Sequence, residues 1–172
     1  MSYSCYKLDA ESKENLMRLF PPKYPAVRYD HLTISMLTGK APCPKPAESV
    51  EVVGVADDGN GIQALIAKVN GSIRRTDGSI WHITASFDPE KKAPAIFDTL
   101  SAPGAQTEKN YRPVTSNGFL KQVVDENNQI RSGINPAWSV RFFNEPIPVK
   151  TKPLIQLNRA ELERMKSQSP IL

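Results

Sequence analysis

Between residues 27 and 88 the chain alternates apolar, β-branched runs with short glycine-bearing turns, and this pattern leaves few folds open. The runs are "VRYDHLTISML", "SVEVVGVADD", "GIQALIAKVNG" and "IWHITASFD". The connections "DDGNG" and "RTDGS" are tight, because Gly and Asn tolerate positive φ. Parallel partners would need a crossover of a dozen residues or more, so four strands joined this closely are expected to pair antiparallel.

Helical signals lie outside this run. "DAESKENLMRLF" (9–20) reads as a short amphipathic helix with Leu16, Leu19 and Phe20 on one face, Asp9 as its cap, and "PPKYP" as its stop. "NRAELERMKSQ" predicts a C-terminal helix over about 158–169, with Asn158 and Glu161 at capping-box spacing. Residues 88–117 show little periodicity, with one short helical piece near 94–100. "NGFLKQVV" fits strand or helix, "ENNQ" reads as a turn, and one or two strands follow. The class is therefore α+β. At 172 residues, with 40% apolar content and no low-complexity linker, one domain over 1–172 is expected.

The net charge of +4 permits a phosphate-bearing ligand without requiring one. The two cysteines, Cys5 and Cys43, form neither a disulfide framework nor a zinc pattern, and free thiols fit a reducing compartment. There is no apolar run of the ~18 residues that a membrane span needs, and the start of the chain is polar. A cytoplasmic protein with no membrane association and no obligate protein partner is expected.

The two histidines of the chain occupy matching contexts: His31-Leu32-Thr33-Ile34 and His82-Ile83-Thr84-Ala85. On a strand, alternate side chains share a face. His31 and Thr33 then stand together with Tyr29 and Ser35, and His82 and Thr84 with Ser86. Leu32 and Ile34, and Trp81, Ile83, Ala85 and Phe87, point the other way into a core. Two imidazoles titrating near neutrality suit an acid–base pair on opposite sides of a phosphodiester. The threonine hydroxyls suit the non-bridging oxygens, where charge gathers. This chemistry calls for no metal and no cofactor, and no Asp/His/Cys cluster has metal-ligand spacing.

These paired motifs resemble the signature of the two-histidine (2H) phosphoesterase superfamily, a duplicated His-hydrophobic-[Thr/Ser]-hydrophobic pattern. "YDHLTI", "VEVVGVADDGNGIQALIAKVNG", "TDGSIWHITASFDPEKK" and "PVTSN" look most like its Swiss-army-knife RNA repair-like branch, common in phages. The likeness covers roughly residues 9–120. It implies a bilobal α+β fold, with two mainly antiparallel sheets flanking a central cleft, a few helices outside, and one motif from each lobe. It implies a metal-independent phosphodiesterase acting on a 2′,3′-cyclic phosphate at a nucleotide or RNA end, or on a cyclic oligonucleotide signal of bacterial immunity. The family's site residues carry over to His31, Thr33, His82 and Thr84. The motifs stand 51 residues apart (82 − 31), short for the superfamily, so the first lobe must be compact.

Further candidate substrate contacts are Tyr29 and Ser86 on the motif faces, Arg74 and Arg75 before the second motif, and Lys91 and Lys92 after it. Trp81 reads as core, and Trp138 as either core or cleft lid. Tyr111 and Asn117 lie in a stretch of the kind that lines clefts. Two other classes compete with the enzyme: a non-catalytic module that sequesters a nucleotide or RNA end, and a structural domain with both histidines packed.

Overall fold

The structure is a computed structural model, and it describes residues 2–37, 43–90, 115–131 and 138–157. Strand β1 is Ser2–Leu8 and helix α1 is Ala10–Leu19. Strands β2 (Ala26–Val27), β3 (His31–Leu37), β4 (Val50–Asp57), β5 (Ile62–Val69) and β6 (His82–Phe87) follow. Helix α2 is Ser116–Val123, and β7 (Ser139–Pro148) and β8 (Thr151–Leu157) close the described chain. The expected helix near 94–100, the C-terminal helix, Lys91, Lys92 and Tyr111 lie outside the described residues.

The strands form one antiparallel sheet in the order β7-β4-β5-β6-β3-β1-β8, with β2 beside β6. The protein is thus α+β, as its sequence suggests. Instead of two sheets flanking a cleft, the described residues build one continuous sheet. Its two halves meet at β3 and β6, where the ladder narrows to the pair Leu32–Ile83. Both side chains are fully buried. Burial of one such side chain contributes about 1.5–3 kcal/mol, so apolar packing holds this seam where backbone bonds are few.

Each face of the sheet has its own core. Leu16 of α1 packs into the first, with Tyr6, Leu8, Leu32, Leu65, Trp81 and Ile83. Asp9 caps α1, accepting from the Ser12 amide at 2.8 Å. Phe20 packs against this core as expected, but Leu19, expected on the same face, is exposed, and Met17 packs in its place. Phe119, Leu120 and Val123 of α2 cover the opposite face against Ala64, Ile66 and Ile80. Trp138 joins this second core, edge-on to Phe119 at 5.5 Å. Strand β5 is buried on both sides except at Lys68, so its centre, Ala64 to Ala67, reads as a continuous apolar run rather than an alternating one.

The hairpin at "DDGNG" forms as expected. Asp58 Oδ1 accepts from the amides of Asn60 and Ile62, both at 2.8 Å, and Gly59 and Gly61 take positive φ. The N-terminal "SYSCYKL", the start of a stretch that is polar as a whole, is an interior strand, because Tyr3, Cys5, Tyr6 and Leu8 supply buried surface. Both edge strands carry prolines, Pro146 and Pro148 in β7 and Pro153 in β8, which discourages pairing with another chain. Among the described residues no helix is long and apolar enough to cross a membrane.

Candidate active site

The two motif strands are neighbours. Leu32 pairs with Ile83 in an antiparallel ladder, so one step either way sets His31 opposite Thr84 and Thr33 opposite His82. Residues directly opposite stand about 4.5–5.5 Å apart at Cβ, and diagonal neighbours about 7–8 Å. The two imidazoles occupy one diagonal of this square and the two threonines the other. Arg28, Asp30, His31, Thr84 and Phe87 line a cavity of about 200 Å³ at this crossing.

The rings are held in different ways. His82 Nδ1–H donates to the Ile80 carbonyl at 2.8 Å, which makes Nε2 the basic nitrogen. Burial opposes its protonation, the Ile80 carbonyl favours it, and the charges of Arg75 and His31 oppose it; the outcome is a pKa lowered to about 4. His82 is therefore neutral at physiological pH. His31 Nδ1–H donates instead to the Asp30 carboxylate at 2.9 Å, so its Nε2 also faces away from the tether. Thr33 Oγ1 lies 3.2 Å from that Nε2. The hydroxyl can donate to a neutral ring and accept from a protonated one.

Asp30 is fixed in turn. Lys7, opposite His31 across the β1–β3 ladder, pairs with its second oxygen at 3.3 Å. The His31 hydrogen bond and the Lys7 charge hold the Asp30 carboxyl far below the usual carboxylate range, despite its partial burial. Tyr3 packs its ring against His31 with centroids 5.0 Å apart. On the other motif, Thr84 Oγ1 meets Ser116 Oγ at 2.9 Å, at the start of α2.

Two backbone irregularities decide which side chains reach this site. The first is Tyr29, whose φ is +51°. A left-handed conformation is rare for a bulky residue. It breaks the expected strand over 27–37 into β2 and β3, although the amides of Arg28 and Tyr29 still bond to the carbonyls of Ala85 and Thr84. Tyr29 is consequently not a cleft residue. It is fully buried in the first core, and its hydroxyl donates to the Phe20 carbonyl at 2.5 Å. Arg28 and Asp30, on either side of it, line the cavity instead.

The second irregularity is a β-bulge in β6. Gln63 pairs with Ser86 but the next residue, Ala64, pairs with Thr84, so Ala85 is an extra residue. A bulge resets the alternation beyond it. Ser86, expected beside His82, is instead fully buried, bonded to Gln63 Oε1 and accepting from the amides of Lys23 and Tyr24. Phe87, expected in the core, lies in the cavity wall.

The two arginines also separate. Arg74 is a clamp for the turn after α2, donating to Asn128 Oδ1 and to the carbonyls of Gly78 and Asp125. It is not brought to the site. Arg75 is close to it, since Nη1 donates to the Thr33 carbonyl at 3.0 Å, while Nε and Nη2 meet Asp77. Its charge reaches His82, and three of its five N–H donors are taken by Thr33 and Asp77. Asn117 sits in the first turn of α2, next to Ser116; its Oδ1 is buried without a hydrogen-bond partner among the described residues.

Asp30, Arg28, Phe87, Tyr3 and Ser116 are thus site residues that the sequence pattern passed over. Asp30 had a signal of its own, an acidic residue directly before the histidine in "RYDHLTI". Ser116 lies in "PVTSN", a Thr-Ser pair of the kind that opens a helix. Compared with family models, curated proteins and solved structures, the chain gives no match.

Proposed function

We propose that the protein is a phosphodiesterase that works by acid–base catalysis between His31 and His82, without a metal. Its proposed substrate is a 2′,3′-cyclic phosphate at a nucleotide or RNA end, or the phosphodiester of a cyclic oligonucleotide. The observation that carries this reading is the square of His31, Thr84, Thr33 and His82 across β3 and β6, with the two rings held unequally. On this reading the halves of the sheet on either side of the seam correspond to the two lobes of a two-histidine phosphoesterase.

The unequal tethers give each ring a role. His82 is neutral, with a basic Nε2, and acts as general base. It takes a proton from the attacking hydroxyl, from water or a ribose, as that oxygen forms its bond to phosphorus. His31, with the Asp30 carboxylate as counter-charge, acts as general acid. Its Nε2–H passes to the departing oxygen as the other phosphorus–oxygen bond breaks. The hydroxyls of Thr33 and Thr84 donate to the non-bridging oxygens. Substrate displaces the Thr33–His31 contact, and the hydroxyl of Ser116 supports Thr84 from behind.

The test is incubation with a 2′,3′-cyclic mononucleotide, an RNA ending in a 2′,3′-cyclic phosphate, and a set of cyclic di- and trinucleotides, read by mass spectrometry. At least one should be opened, with EDTA making no difference. His31→Ala and His82→Ala should each lower the rate about 10²–10⁴-fold while keeping the wild-type fold by circular dichroism. Full turnover in either variant sinks the proposal.

A further inference from the structure

Phe87 and Arg28 both line the cavity beside His31 and Thr84. Phe87 belongs to neither core and is only half-buried. It reaches the cavity because the bulge at Ala85 reverses the alternation of β6. Arg28 reaches it beside the left-handed turn at Tyr29. The two side chains then meet, with the guanidinium carbon 4.8 Å from the centre of the phenyl ring. Bulges and left-handed bulky residues are over-represented beside functional sites, where a bulge can re-aim a side chain. Here two irregularities, facing each other across the backbone bonds from Arg28 and Tyr29 to Ala85 and Thr84, converge on one cation–π pair.

We propose that the Arg28–Phe87 stack is a shelf on which one nucleobase of the ligand rests while its phosphate lies among the His/Thr square. This rests on the phosphodiesterase reading of that square. A planar guanidinium over an aromatic ring offers a flat, polarisable surface, and bases stack on both groups. Such stacking tolerates any base, because every base has a π-face. At about 200 Å³ the cavity is below the range of drug-sized pockets, roughly 300–1,000 Å³. It therefore holds part of one nucleotide rather than a run of bases. A cation needed only for phosphate would not require an aromatic ring beneath it. The ligand class is thus a nucleoside phosphate.

The test compares two phosphate monoesters that the proposed reaction leaves intact, adenosine 3′-monophosphate and glycerol 3-phosphate. Binding to the full chain is measured by calorimetry, for the wild type, Phe87→Leu and Phe87→Ala, with folding checked by circular dichroism. Stacking of one base corresponds to about 5–150-fold, so the wild type should bind the nucleotide more tightly by that factor. The preference should fall to within about threefold in Phe87→Ala and lie between the two in Phe87→Leu. Equal affinity of the wild type for both probes, no binding of either, or a preference that survives in both variants overturns the shelf. The cleavage reading fails separately: if no phosphodiester is opened but base-dependent binding is lost with Phe87, the shelf stands alone.

Discussion

Protonating His82 should destabilise the fold over a defined pH range. Its folded-state pKa is lowered from 6.5 to about 4, chiefly by burial. Below 6.5 the unfolded chain takes up a proton that the folded chain refuses. Stability is therefore intact above about pH 6.5, falls as pH drops toward 4, and levels off below. A displacement of this size corresponds to roughly 3 kcal/mol between pH 7 and pH 4. The assay is urea denaturation of wild type and His82→Gln at half-unit intervals, with the imidazole resonances followed by NMR. Only the difference between the two curves matters, since it cancels other groups. Asp58, raised by burial, acts with the opposite sign, and Asp30 titrates well below this window. The difference should change by roughly 3 kcal/mol across the window. A flat difference, or a His82 resonance titrating near 6.5, would refute the desolvated ring and the division of roles drawn from it.

Three further outcomes follow from the geometry. Asp30→Asn puts an amide against His31 Nδ1 and lets the ring flip to the other tautomer, so kcat should fall about 10²-fold or more; a wild-type ¹⁵N imidazole signature for His31 would argue against this positioning role. Ser86→Ala removes the acceptor of the Tyr24 amide and one of two acceptors of the Lys23 amide, the other being Gln63 Oε1, and should lower the urea midpoint by the equivalent of about 1–3 kcal/mol with kcat unchanged; loss of kcat at full stability would return Ser86 to the site. Ile83→Ala opens a cavity at the seam of the sheet and should cost about 2–5 kcal/mol in chemical denaturation; a loss under 1 kcal/mol would mean the seam is held by something else.

Much of this molecule was legible in local pattern. Capping residues and a proline stop placed α1, and the glycine turns placed the β4–β5 hairpin. Period-two alternation put His31 with Thr33 and His82 with Thr84, and left Leu32 and Ile83 in the core. These features depend on residues within a few positions of one another, where backbone geometry leaves little choice. Strand β1 was not legible, because its burial comes from strands β3 and β8 on either side of it rather than from its own polarity.

The sequence alone determined that two His/Thr pairs stand on strands above an apolar face. Only the tertiary structure decided that those strands are neighbours and what surrounds them. Alternation is a reliable guide only while a strand is unbroken, and whether it breaks is set by the register of its partner. The pairing of β6 with β5 bulged the chain at Ala85, which sent Ser86 inside and brought Phe87 to the cavity. The left-handed Tyr29 did the same for Arg28 and Asp30. In an extended strand Asp30 would point away from His31. The turn at Tyr29 lets the two neighbours line one cavity and bond to each other, and that contact is what makes the two histidines unequal.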